Sequence, residues 1–207
     1  MQATIDQVLV AEENIIGPGK ARTGIFKRPV IRPVKLAELG LEGDFQADRR
    51  VHGGLDKAVH HYPAQNYRLL QEALPHLADK FLPGTIGENF SSTGMAEENV
   101  HIGDTFSVGS AIVQVSQPRR PCWKVNHRYG NAYLADFLSQ QQITGWYYRV
   151  VQEGEVQAGD QIALTERLPQ SLSIAELWRQ WFECQRSKQS TDKLINTPGL
   201  ALEWLKD

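Results

Sequence analysis

Cys122 stands in the segment Gln-Pro-Arg-Arg-Pro-Cys-Trp-Lys-Val-Asn-His-Arg, residues 117–128, among Arg119, Arg120, Lys124 and Arg128. No acidic residue occurs between Thr105 and Ala135. Cations beside a thiol favour the thiolate, the species that attacks electrophiles and ligates soft metals. Pro118 and Pro121 restrict the backbone around it and bias the preceding residues towards extended geometry. A rigid loop presenting a soft anion within positive charge suits an anionic ligand, a metal, or both. The competing reading is a buried structural cysteine beside a solvated basic face.

Other stretches carry chemistry of their own. Residues 40–63 are rich in glycine and histidine, and His52-Gly53-Gly54 is a loop in which backbone can approach a ligand closely. His52 reads as an anion or cofactor contact, or as a turn histidine with a structural hydrogen bond. His60 and His61 follow Lys57 in an expected strand over 57–62. Alternation would send them to opposite faces, so they form no convincing zinc set. Glu88-Asn89 could orient a ligand or close an Asx turn on its own backbone. Arg149, in an expected strand over 144–151, is available to a nearby anion. Gly17-Pro-Gly-Lys20 looks like a phosphate loop but has Asn14 and Ala21 where that motif needs glycine and Ser/Thr; it reads as a turn.

Composition bounds these readings. With 207 residues, 41% hydrophobic and 22% charged, the chain can hold one full soluble domain and a small appendage. The net charge of −2 gives no global match to nucleic acid, so the basic segment acts as a local field. No apolar run approaches the roughly 20 residues of a membrane span, and no signal peptide is visible. Two distant cysteines, Cys122 and Cys184, make no disulfide framework, which points to a reducing cytoplasm.

The elements that must position these residues are mostly strands. Ile5, Val8 and Val10 mark an opening strand, and the prolines at 18, 29 and 33 argue for short edge strands after it. A helix is expected over 63–74. Strands over 105–108 and 111–117 flank a Gly109-Ser110 turn, and the second runs directly into the cysteine segment. A short helix is expected over 129–140. Ile102-Gly-Asp and Ala158-Gly-Asp each precede an alternating strand, suggesting two similarly made turns in one barrel or sheet. After Pro169, Ser173 and Glu176 form a capping-box signature ahead of an apolar helix face, with Cys184 a structural thiol near its end. Two further short helices are expected, over 191–195 and from a Thr197 cap with Pro198 at the first position.

Taken in order, Gly43-Asp44, His52-Gly-Gly-Leu-Asp-Lys57, Gly87-Glu-Asn89, Val100-His-Ile-Gly-Asp104 and Gln117-Pro-Arg-Arg-Pro-Cys122 resemble the MOSC-domain family, named for the C-terminal domain of molybdenum-cofactor sulfurases. The likeness covers most of residues 1–166, and the tail resembles the three-helix extension of a stand-alone bacterial subclass. It implies an α+β chain, mainly β: a distorted β-barrel domain over 1–167 followed by a three-helix module over 168–207. It implies a molybdopterin-type molybdenum cofactor, with Cys122 as molybdenum ligand, and reduction of N-hydroxylated compounds such as hydroxylaminopurines to amines. On chemistry and motif position, His52, Lys57, Asn89, Arg119, Arg120, Arg128 and Arg149 are the candidate cofactor-binding residues. No flavin or haem motif is evident, so electrons are expected from a separate reductase. The alternative role is a cofactor or sulfur carrier holding a Cys122 persulfide, or a plain anion-binding module.

Overall fold

The opening strand is β1, Gln2–Val10, and a bulge between Ile5 and Gln7 resets its alternation so that Ile5 and Val8 both face the core. In the computed structural model, which describes residues 1–49 and 51–206, β1 is one stave of a closed barrel. Arg50, in the glycine-rich stretch, and Asp207 lie outside the described residues. The short elements that follow are β2 (Asn14–Ile16), β3 (Ala21–Thr23), β4 (Arg28–Pro29), β5 (Val34–Ala37) and β6 (Gly40–Leu41). Then come β7 (Val59–Pro63), α1 (Gln65–Ala73), β8 (Phe90–Thr93), β9 (Thr105–Val108) and β10 (Ala111–Pro118). The chain continues through α2 (Trp123–Tyr129), α3 (Leu134–Gln140), β11 (Trp146–Gln152), β12 (Gly154–Val156), β13 (Gln161–Glu166) and α4 (Ile174–Ser187).

The barrel ring runs β13, β9, β10, β11, β7, β8, β1 and back to β13. Closure removes the exposed edges that an open sheet of this size would present. Every neighbouring pair is antiparallel except β7 and β8, whose parallel pairing needs a crossover and obtains it through α1. Further bulges in β10 and β13 give the barrel its distortion. The strand β4 extends the sheet beside β1, while β12, β5 and β6 form a second small sheet. The phosphate-loop look-alike is the turn of the β2–β3 hairpin.

Several local expectations have visible physical causes. Val108 pairs with Ala111 across the Gly109-Ser110 turn, and Gly109 takes φ of +55°. The two Gly-Asp turns are alike: Asp104 accepts from the His101 amide at 2.9 Å, and Asp160 accepts from the Gln157 amide at 2.8 Å. They lead into β9 and β13, which pair with each other.

The single helix expected over 129–140 is instead two. Gly130, left-handed at φ of +63°, ends α2, which begins directly after Cys122. The Asn126 side chain ties the break by bonding the Ala132 carbonyl and the Ala135 amide. The cysteine segment is therefore a strand end, a short turn and a helix rather than one continuous loop.

The tail starts as expected, with Ser173 and Glu176 closing a reciprocal capping box on α4. A 3-10 turn follows at Thr191–Leu194, and a second spans Leu202–Leu205. No helix starts at Thr197, because Gly199 adopts φ of +82° and a Cβ there would lie 2.6 Å from the Gly103 Cα. Leu200, Ala201 and Trp204 are nonetheless buried. Ile174, Leu177, Trp178, Leu194 and Trp204 belong to the same apolar cluster as the barrel interior. A second cluster joins Tyr67, Leu70, Phe81, Val125, Leu134 and Leu138, packing α1, α2 and α3 over one side. Among the described residues no helix is long and apolar enough to cross a membrane.

His61 stands inside the barrel, stacked on Trp146 at 4.6 Å and bonded to the Ser92 and Tyr148 hydroxyls at 2.8 and 3.2 Å. Burial pushes its pKa down to about 3. The unfolded chain therefore binds a proton that the folded chain refuses, and stability present above the unfolded value is lost as pH falls towards the folded one. Each such group contributes a slope of about 1.4 kcal/mol per pH unit in that window. Glu97, whose pKa burial pushes up to about 7, works in the opposite direction as pH rises. We expect His61→Gln to lose less stability than the parent between pH ~6 and ~4, the slopes differing by about 1 kcal/mol per unit in urea unfolding; equal slopes would contradict this.

Candidate functional site

The end of β10 aims the chain into a cleft. Pro118 still pairs with Trp146 of β11, and the next amide, Arg119 N, donates to the Gly145 carbonyl at 3.1 Å. Gly145 is itself held by the buried Glu97, which accepts its amide at 2.8 Å and the Asn66 side-chain amide at 2.9 Å. At φ of +68°, with a Cβ position only 2.1 Å from the His61 carbonyl, residue 145 must be glycine. Glu97, Gly145 and Arg119 thus form a chain of contacts that fixes where the cysteine turn begins. Sequence reasoning did not pick out Glu97 or Gly145, because they act through backbone groups distant in the chain.

Cys122 and Arg119 both line this cleft, which encloses about 610 Å³ of empty space including its open mouth. His52, Lys57, His60, Asn89, Lys124 and Tyr147 are also on its walls. Cys122 is half-buried at the N-cap of α2, its carbonyl accepting from the Val125 amide at 3.0 Å. Arg119 is only 4% exposed. Its Nη2 reaches the Ile86 carbonyl at a long 3.4 Å, while Nε and Nη1 have no hydrogen-bond partner among the described residues. A buried guanidinium without a paired anion is costly, and such groups ordinarily have a partner.

That charge acts on its neighbours. His52 is pushed down to about 3 by burial first, then by the cations Arg119, Lys124 and Lys57. Its Nδ1 lies 3.3 Å from the Tyr147 hydroxyl, so His52 is a neutral wall residue held by a structural bond. His60 is likewise driven well down by burial and by Arg119. As alternation requires, His60 faces this cleft while His61 faces the barrel core. Among the described residues no three metal-ligating side chains cluster.

Asn89 is on the wall, but its polar groups brace the cleft. Its Oδ1 accepts from the His60 amide, and its Nδ2 donates to the Leu9 carbonyl and to Asp44. Asp44 also pairs with the buried Lys27. Glu88 turns away, accepting from the Tyr67 hydroxyl and the Gly84 amide at 2.6 Å each. Lys27 and Tyr147 were not singled out by sequence reasoning, and Asp44 was named only as part of a motif, without its buried partner; their neighbours in the cleft are remote in the chain.

Three arginines expected at the site are elsewhere. Arg120 is drawn to the tail, its guanidinium 4.5 Å from the Trp204 ring and 4.6 Å from Trp181, with Nη2 donating to the Trp204 carbonyl. Arg128 donates to the Ile25 and Gly84 carbonyls and covers Phe26, bracing the loops behind the cleft. Arg149 is captured by Asp56 at 2.6 Å, and by Gln114 and the Gly199 carbonyl. Each has found a protein partner that the linear sequence does not place beside it.

A family model described as the MOSC domain matches residues 48–163. Protein YiiM of Escherichia coli (strain K12) is 35% identical over 187 residues, covering 89% of this chain and 82% of that one. A protein of Gibberella moniliformis named Reductase is 33% identical over 162 residues, covering 78% of this chain but 29% of that longer one. The crystal structure of YiiM from Geobacillus stearothermophilus matches with a TM-score of 0.80 at 28% identity, over 99% of this chain and 96% of that one. With the barrel, the cysteine turn and these matches in agreement, the chain belongs to the MOSC domain family.

Proposed function

We propose that this protein is a cytoplasmic, molybdenum-cofactor-dependent reductase that converts N-hydroxylated compounds to amines. The observation that carries the reading is the cleft shared by Cys122 and the buried Arg119, whose Nε and Nη1 have no hydrogen-bond partner among the described residues. A soft thiolate and a desolvated guanidinium are the two kinds of group that a sulfur-ligated, anionic metal cofactor needs. MOSC membership and the reductase name of a relative support the same direction.

When bound, the molybdenum centre would supply two-electron oxygen-atom chemistry. The balance for the substrate is R–NHOH plus two electrons and two protons giving R–NH2 and water, the electrons coming from a separate reductase protein. The residues contribute position and charge. Cys122 Sγ would hold the metal, and Arg119 Nε and Nη1 would donate to the anionic part of the cofactor. His52 is neutral at pH 7 and donates or accepts at Tyr147, narrowing the entrance without adding charge. Asn89 and Asp44 keep the opposite wall from collapsing into the cleft.

Protein purified from cells that make molybdenum cofactor is expected to carry molybdenum and pterin. Cys122→Ala is expected to lose the metal and at least about 100-fold in reductase activity, a barrier increase of about 2.7 kcal/mol, while the unfolding midpoint of its cofactor-free form matches that of the cofactor-free parent. Absence of molybdenum from the parent, or full activity in the variant, would reject the assignment.

Because His52 stays neutral down to about 3, it contributes no titration to activity near neutrality. The pH–rate profile of His52→Gln between about 5 and 8 is expected to run parallel to that of the parent. Loss of one limb of the profile in the variant would show that His52 exchanges a proton during turnover.

A further inference from the structure

The C-terminal segment grips the cleft from outside on two sides. On one side the rings of Trp181 and Trp204 hold Arg120, two residues before Cys122. On the other, Glu203 of the last 3-10 turn forms a 3.0 Å ion pair with Lys57. The two partners are unlike. The Lys57 side chain is 2% exposed and belongs to the cleft wall, whereas that of Glu203 is 48% exposed and lies outside it. A cleft lysine thus takes its counterion from a segment that, among the described residues, contributes nothing to the lining.

Lys57 follows the glycine-rich turn as the end of the 3-10 segment Leu55–Lys57, and its backbone is fixed by the Gly54 carbonyl. Its side chain is enclosed, so the ammonium has little room to turn out to solvent when its pairing changes. Glu203 can: its carboxylate is half in water, which solvates it when it lets go. Trp204 beside it is fully buried, and its amide donates to the Ala201 carbonyl, so the backbone that carries Glu203 is anchored to the barrel. Ala201 N in turn donates to the Ser116 carbonyl of β10, the strand that ends at the cysteine turn.

We propose that Glu203 is a positioning residue for the cleft: it holds the Lys57 charge in reserve and competes for it with an anion entering beside Cys122, so the C-terminal segment sets the cleft's affinity for anions. This rests on reading the cleft as an anion site. Arg119, Lys124, His52, His60 and Asp48 line the same cleft as Lys57, as does the Lys27–Asp44 pair, while Glu203 lies outside. Removing the carboxylate takes away the counter-charge paired with Lys57 and makes the cleft more attractive to an anion. Removing Lys57 makes Glu203 irrelevant to the anion.

Cys122 supplies its own reporter of local potential. The full-length protein is alkylated with iodoacetate, an anion, and separately with iodoacetamide, its neutral counterpart. Modification of the Cys122 peptide is followed by mass spectrometry, which separates it from the buried Cys184. The ratio of the two rates cancels differences in thiol exposure and thiolate fraction and keeps the electrostatic part. Glu203→Gln, which preserves shape, is expected to raise that ratio about three- to fivefold. Lys57→Gln is expected to lower it, and the double variant is expected to match Lys57→Gln alone. An unchanged ratio in Glu203→Gln, or an equal rise with and without Lys57, would overturn the proposal. Should the parent itself show a ratio no higher than free cysteine does, the anion-site reading fails as well, which is a different outcome from insensitivity to Glu203. Unfolding midpoints of all four proteins show whether any change reflects a loosened tail instead; a ratio that follows the midpoint rather than the charge would also count against it.

Discussion

A buried arginine that meets no anion among the described residues is the constraint on which the site depends. Arg119 is placed by a backbone bond at the end of a barrel strand, and its side chain, only 4% exposed, turns into the cleft. In a folded chain whose net stability is only about 5–15 kcal/mol, an uncompensated buried cation is a substantial burden. The burden makes sense if a ligand lifts it. It also shapes the neighbourhood, since the same charge adds to the burial that keeps His52 and His60 neutral.

The barrel makes that burden tolerable. Its closed ring of seven strands fixes the end of β10 against β11, and the glycine at 145 allows Glu97 to reach in and hold the junction. Burial pushes the Glu97 carboxyl up to about 7, so it is about half protonated at neutral pH rather than carrying a full buried charge. Elsewhere the acidic partners are spent on other cations: Asp44 on Lys27, Asp56 on Arg149, Asp104 on Arg167. Arg119 is left as the wall cation whose Nε and Nη1 face no partner among the described residues.

Much of this was legible in the chain, in a graded way. Alternation and turn chemistry marked the strands and the Gly109-Ser110 hairpin because those signals are local. The paired Gly-Asp turns were readable for the same reason. What failed was the destination of long side chains. Arg119 and Arg120 are adjacent and chemically identical, yet one enters the cleft and the other enters a box of tail tryptophans some sixty to eighty residues later. Arg149 was captured by Asp56 across the sheet, and Arg128 by loop carbonyls. Lys57 was readable as a site residue, but its counterion Glu203 was not, because nothing in a linear sequence links the two. Helix ends failed where a left-handed glycine intervened, at Gly130 and Gly199.

The central claim is that Arg119 is held at a cost to the folded chain in order to receive an anion. Replacing it with methionine, similar in length and uncharged, separates the two roles. The unfolding free energy of cofactor-free Arg119→Met, measured in urea beside the cofactor-free parent, tests this most directly. The variant is expected to be more stable by about 1–3 kcal/mol, because a buried charge that meets no anion among the described residues has been removed. Loss of about 3 kcal/mol or more would mean that Arg119 is a structural partner of the fold, and the claim would be wrong.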